Sequence, residues 1–245
     1  WRGTANLTAI AGPTWYFDEG PVSSIFQYSG FQVTYEHDDL YTDWSGALGL
    51  NMQFRSNWGF EVTLIAGESK DLGAKYTYYE GDLSSWFNLS PRWNANAWGG
   101  IARSYNFSRD YVGLYSWFGS YAEWKALDIL ELGTTYEMYI EGNPEGRVED
   151  VTYNARPFVS LTPVNNLNLR LYVDNVFLQS SDQMERIIVG FLFSYNFLPK
   201  SWIYVALNEV REKQDVLNAA RVPIGRRMET ADRVGVMKVK YLYYL

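Results

Sequence analysis

Apolar and polar positions alternate with a period of two along most of the chain, most cleanly toward the C-terminus. Ile187, Val189, Phe191, Phe193, Tyr195 and Phe197 occupy every second position, with Gly190, Ser194 and Asn196 among those between. Leu167, Leu169, Leu171 and Val173 alternate with Asn168, Arg170, Tyr172 and Asp174. Leu130, Leu132, Thr134, Tyr136, Met138 and Ile140 alternate with Glu131, Gly133, Thr135, Glu137 and Tyr139, and Val151 to Leu161 repeats the theme around Pro157. At the end, Met237, Val239, Tyr241, Tyr243 and Leu245 share one face, with Lys238 and Lys240 on the other. Period two is the side-chain period of a β-strand. Strands that carry Arg and Asp on the second face do not suit the core of a sandwich. They suit a wet interior with lipid outside.

The pattern predicts strands at 4–17, 22–37, 43–55, 57–67, 72–90, 92–107, 110–125, 127–141, 148–162, 165–179, 183–198, 200–213 and 232–245. The 72–90 stretch contains Glu80-Gly81-Asp82 and reads as a bulged strand or a small hairpin. Pro157 lacks a ladder donor and predicts a bulge or local irregularity. Each segment has at least the roughly 9–11 residues that cross a bilayer at a tilt. An odd number of strands starts the chain on the far side from its end, whereas bacterial barrels usually have an even number. Either residues 1–20 are not a wall strand or a strand before Trp1 is missing; the missing strand is the reading preferred, giving 12–14 in all. Residues 1–245 read as one domain, the C-terminal part of a longer precursor. The fold class expected is all-β, a transmembrane antiparallel up-and-down β-barrel. The soluble alternative, a lipocalin-like barrel or a sandwich, would have to absorb the aromatics in one core.

Connections alternate in length. Short ones fall at Arg55-Ser56-Asn57, Ser90-Pro91-Arg92, Lys125–Asp128, Thr162–Asn166 and Leu198–Ser201. Longer polar ones fall at Glu36–Asp43, Gly67–Leu72, Glu141–Asp150, Gln179–Glu185 and Arg211–Arg233; Asn106–Asp110 is tight. Outer-membrane barrels have short periplasmic turns and long external loops. Trp58, Trp93, Tyr195, Phe197, Trp202, Tyr241 and Tyr243 are the candidates for an aromatic belt at a membrane interface.

Composition sharpens this picture. The chain has 10 Trp, 20 Tyr and 13 Phe, 18% aromatic, yet its mean hydropathy is only −0.26. No apolar run approaches a membrane helix. The formal charge of −7 argues against a nucleic-acid partner, which would need a basic face. With no Cys and one His, disulfides, thiolate metal sites, cysteine nucleophiles and multi-His metal sites are excluded. No leader precedes Trp1, which points to a processed or partial product.

The stretch Phe193-Ser-Tyr-Asn-Phe-Leu-Pro-Lys-Ser-Trp-Ile-Tyr-Val-Ala-Leu-Asn-Glu209, with the ending Val236-Met-Lys-Val-Lys-Tyr-Leu-Tyr-Tyr-Leu245, resembles a particular group of proteins. These are uncharacterised Bacteroidetes-type outer-membrane barrels that follow a module similar to family-9 carbohydrate-binding domains. That family has a Tyr-x-Phe-x-Pro turn, a strand ending in a Tyr-Asn-Glu-like triplet and a final Lys-x-x-Tyr-Leu-Phe-like strand. Here Leu207 stands in place of the triplet's Tyr, and the ending is Tyr-Leu-Tyr-Tyr-Leu. Residues 1–150 match only in general barrel character. The resemblance implies location and architecture and carries over no catalytic residue.

Candidate chemistry is sparse. His37-Asp38-Asp39 resembles the Asp and His of outer-membrane proteases, but no second acidic pair is evident, and a solvated loop is the reading preferred. No Ser partner sits at phospholipase spacing from His37. The loop carboxylates Asp38, Asp39, Asp43, Glu145, Glu149 and Asp150 lack an EF-hand spacing. Arg221, Arg226, Arg227 and Arg233 could meet anionic headgroups or a partner. Asn88-Leu89-Ser90 and Asn106-Phe107-Ser108 match the glycosylation pattern, without consequence in a bacterial barrel. The candidate lumen-lining charges are Glu61, Glu131, Glu137, Arg156, Arg170, Asp174, Arg186, Lys238 and Lys240. Opposed rows could set a field across a pore, or pair and fill it. The expected function is a pore or an anchor for a carbohydrate-binding or other partner domain. A docking subunit of a larger complex is the alternative, and an outer-membrane hydrolase stands behind both. The chain is expected to be no enzyme, with no cofactor and no metal. Its expected partners are outer-membrane lipid and lipopolysaccharide, with possible protein partners.

Overall fold

The computed structural model describes residues 3–37, 41–71, 73–217 and 223–242. It contains fourteen β-strands: β1 (Thr4–Ala11), β2 (Thr14–Tyr16), β3 (Val22–Glu36), β4 (Tyr41–Phe54), β5 (Trp58–Asp71), β6 (Ala74–Ser90), β7 (Trp93–Asn106), β8 (Tyr111–Leu127), β9 (Leu130–Gly142), β10 (Val148–Val164), β11 (Leu167–Leu178), β12 (Gln183–Leu198), β13 (Ser201–Leu217) and β14 (Pro223–Lys240). Each strand from β3 to β14 is hydrogen-bonded to its neighbours in sequence, and β1 pairs with β3. The architecture is thus an all-β, antiparallel, up-and-down sheet, as the alternation predicts. β1 and β2 both lie against β3, β1 along Ser29–Glu36 and β2 along Ser24–Phe26. They share one position in the sheet, interrupted at Gly12-Pro13. There a Cβ on Gly12 would run into the backbone of Gln27.

The expected boundaries hold closely from β1 to β12. The polar segments depart from expectation. Most residues read as long loops are strand: Gly67–Asp71 belongs to β5, and Arg211–Leu217 and Pro223–Arg233 extend β13 and β14. Only 218–222, outside the described residues, separates those two strands. The register runs from Trp202 opposite Lys240 to Leu217 opposite Pro223. Charge ends the apolar pattern without ending the ladder, because cross-strand charges pair. Arg226 holds Glu185 through two nitrogens at 2.7 and 2.9 Å.

The 72–90 stretch is one continuous strand, β6, with Gly81 opposite Leu64. Pro157 causes no bulge: Ala155 faces Asn175 and Phe158 faces Tyr172, so the register is unchanged across it. The irregularity in that pair lies between Leu161 and Val164.

The chain divides into two compact units. The first comprises residues 1–120 and 139–150, the second 121–138 and 151–245. In the first, Leu48 opposes Leu64, and both are more than half exposed, at 58% and 55%. The opposite face carries Tyr28, Asn51, Glu61 and Thr63, together with the buried glycines Gly49 and Gly59. In the second unit Leu171, at 57%, and Met237, at 70%, stand on the exposed face. Asp174 and Ser160, at 3% and 6%, are among its most buried residues. A water-soluble fold has the reverse arrangement. Among the described residues, no helix is long and apolar enough to cross a membrane.

Candidate functional site: the polar face

In the first unit, Tyr28 on β3 lies directly opposite Gly49 on β4, and Gly49 opposite Thr63 on β5. A Cβ on Gly49 would overlap the Tyr28 ring, so only glycine lets the ring lie across β4. The hydroxyl thereby reaches β5. It donates to Glu61 Oε1 at 3.0 Å and lies 2.8 Å from Thr63 Oγ1. Asn51 Nδ2 donates to Glu61 Oε2 at 2.8 Å. Both oxygens of this carboxylate are therefore met by neutral donors. Two strands on, Trp86 lies opposite Gly59, and its Nε1 donates to Gln53 Oε1 at 2.9 Å.

Where β7 and β8 meet their tight turn, a recess of about 440 Å³ is lined by Asn106, Tyr115, Trp117, Tyr139 and Glu141 among others. Asn106 Nδ2 donates to Glu141 Oε1 at 2.8 Å, and Arg109 Nε lies 2.7 Å from the same oxygen. Glu141 holds the Arg109 guanidinium above its ordinary pKa by charge attraction. Asp110 takes the left-handed conformation that closes this turn, with φ of 57°.

In the second unit the same ring-over-glycine device recurs. Tyr172 on β11 faces Gly190 on β12, and its hydroxyl reaches β13 to donate to Asn208 Oδ1 at 2.9 Å. Next to it, Arg156 Nε donates to Asp174 Oδ2 at 3.0 Å, and the Arg156 Nη2 pairs with the same oxygen. The other oxygen of Asp174 is buried. The Arg170 guanidinium lies 3.6 Å from the centroid of Phe158, close enough for a cation–π contact. Glu131 lies beside Glu123 and Arg170.

These registers locate the expected lumen charges. Glu61 stands on the polar face of the first unit. In the second, Arg156, Arg170 and Asp174 stand together on the face of Gly190 and Tyr172. Glu131 shares the face of Gly133, over which Phe158 lies. Glu137 follows the same alternation and is exposed. Arg186 faces Glu212 at 2.7 Å, and Lys238 and Lys240 face Tyr204 and Trp202. The residues thus share faces, but among these candidates the contact described is that of Arg156 with Asp174.

The aromatic candidates divide. Trp58 stacks on Phe54 at 3.8 Å and on Phe87 at 6.0 Å, on the apolar face at a short turn. Trp93 and Tyr195 also lie on that face, and Phe197 stacks on Tyr241 at 6.4 Å. Trp202 does not join them. It faces Asn196 and Lys240 and stacks on Tyr204, on the opposite face. Tyr243 lies outside the described residues. His37 is exposed in a turn, where its backbone N–H donates to Gly3 O at 2.8 Å; Asp38 and Asp39 lie outside the described residues.

Sequence reasoning missed Gly49 with Tyr28 and Gly190 with Tyr172. The signal is a Tyr on the polar face of one strand and a Gly on the polar face of the next. It becomes visible only once the register between strands is known.

No family model matches this chain, and no curated protein matches it. Among solved structures it is similar to OmpT, an in-vitro folded outer membrane protein of Vibrio cholerae in a trimer form. The match has 12% identity and a TM-score of 0.47, and it covers 96% of this chain and 100% of that one. At this identity the likeness speaks to the fold alone, and the expectation that the chain is no enzyme is not carried forward.

Proposed function

We propose that this chain is an integral outer-membrane β-barrel whose polar face lines a narrow path for small polar solutes. The observation that carries the reading is the inversion of the two faces. Leucines stand exposed on one face, while Glu61 and Asp174 are held by hydrogen bonds on the other. Lipid would solvate the first face, and every strand-to-strand donor would be paired in a closed sheet. The strands run from 12 to 18 residues from β10 onward, enough to cross a bilayer at a tilt.

Conductance of the purified protein in a planar bilayer tests the reading. Steady, salt-dependent steps are expected, and Arg170→Glu or Lys238→Glu should shift selectivity toward cations. A protein that inserts and stays silent would have a filled or plugged interior, which would end the pore reading. A protein that fails to partition into bilayers at all would end the membrane reading.

A further inference from the structure

On the exposed face of the second unit, the apolar rows stop at a common level. On β13 the row Ile203, Val205, Leu207 gives way to Glu209 and Arg211; on β14 the row Val239, Met237, Gly235 gives way to Arg233. Glu209 binds both arginines. Its Oε1 lies 2.6 Å from Arg211, and its Oε2 accepts from Arg233 Nε at 3.0 Å. One carboxylate thus holds two guanidiniums and leaves a net charge of about +1 by simple charge count. The carboxylate is the more sheltered group. Arg211 and Arg233 present 51% and 72% of their side chains to the surroundings, against 25% for Glu209. A bulge between Val210 and Arg211 sits at this level, the kind of irregularity that re-aims side chains.

Directly alongside the charges runs a groove of about 400 Å³. Its apolar wall is Leu171, Val189, Phe191 and Leu207, and Gly235 leaves it open where a side chain would otherwise stand. Val189 is registered opposite Glu209, so groove and charges are continuous. From Ser201, where β13 begins, the level of Glu209 is reached after about the 9–11 residues that cross a hydrocarbon layer.

We propose that this groove binds a phospholipid of net negative charge, with the phosphate between Arg211 and Arg233 and one acyl chain along Leu171, Phe191 and Leu207. The inference rests on the membrane reading above. Charge complementarity selects the headgroup: paired guanidiniums match phosphate oxygens in a fork geometry. The depth selects a lipid over a soluble anion, because the charges stand where the apolar band ends and the groove continues into that band.

The test uses the full chain in phosphatidylcholine nanodiscs doped with phosphatidylglycerol, with retained lipid read by native mass spectrometry. The intact protein should retain phosphatidylglycerol in preference to phosphatidylcholine. Arg211→Gln and Arg233→Gln should each reduce that preference about fivefold. Gly235→Leu fills the groove while keeping both arginines. It should lower phosphatidylglycerol retention without altering the heat-modifiable migration of the folded protein. A preference unchanged in all three variants would overturn the proposal. So would displacement of the lipid by excess inorganic phosphate, which would indicate a soluble-anion site. Failure of the membrane reading looks different: the chain would not enter nanodiscs of either composition.

Discussion

The two units satisfy a sheltered carboxylate on the polar face in different ways. In the first, Glu61 is met by the Tyr28 hydroxyl and the Asn51 amide, and no cation touches it in the hydrogen bonds described. In the second, Asp174 is met by the Arg156 guanidinium. Both units build their polar face with a tyrosine lying across a glycine, so the scaffold is common and the electrostatics are not. A carboxylate held by neutral donors keeps its negative charge as a local field. One held by arginine is neutralised, and it becomes costly only when its partner is removed. Identical backbone devices can therefore carry either a field-bearing or a cross-linked interior.

Arg156→Ala should have the largest effect, about 3 kcal/mol of lost stability, because it strands Asp174 in its buried position. The paired change Arg156→Leu with Asp174→Leu should restore most of that loss. Urea-unfolding midpoints of the reconstituted protein measure both. A single-site loss no greater than that of Glu61→Gln would erase the contrast. Next come Gly49→Val and Gly190→Val, each destabilising by about 2 kcal/mol through overlap with the facing ring. Tyr28→Ala and Tyr172→Ala should relieve the respective clash, and failure of that rescue would show that the glycines matter for another reason. Tyr28→Phe should cost about 1 kcal/mol, since it leaves one Glu61 oxygen short of a donor. Trp58→Leu, on the apolar face, should be smallest, about 0.5 kcal/mol for the lost stacking on Phe54 and Phe87.

Much of the fold was legible because the alternation of Leu167–Val173 and Ile187–Phe197 is a direct image of the two faces. The faces of Glu61, Arg156, Arg170 and Asp174 followed from it. Three features were not legible. The charged reaches of β13 and β14 look like loop because pairing such as that of Arg226 with Glu185 continues a ladder without any apolar pattern. Trp202 was assigned by its nearness to a turn, which fixes its level along the strand, whereas its face follows from its neighbour Ile203. Pro157 removes a donor, yet the residues on either side keep their partners, so the strand absorbs it without a shift. The core of the candidate site, ring against glycine, depends on the register between consecutive strands, such as Tyr28 on β3 with Gly49 on β4, which the sequence pattern alone does not fix.

That pairing also acts as a proofreading device during assembly. Sliding β4 along β3 by two residues preserves which side chains face lipid, so hydrophobicity alone does not penalise the error. The rings do. After such a slip Tyr28 would meet Ala47 or Asn51 in place of Gly49, and Tyr172 would meet Ile188 or Leu192 in place of Gly190. Each tyrosine accepts one alignment of its neighbour and rejects the adjacent ones, so the sheet carries its own ruler in each unit.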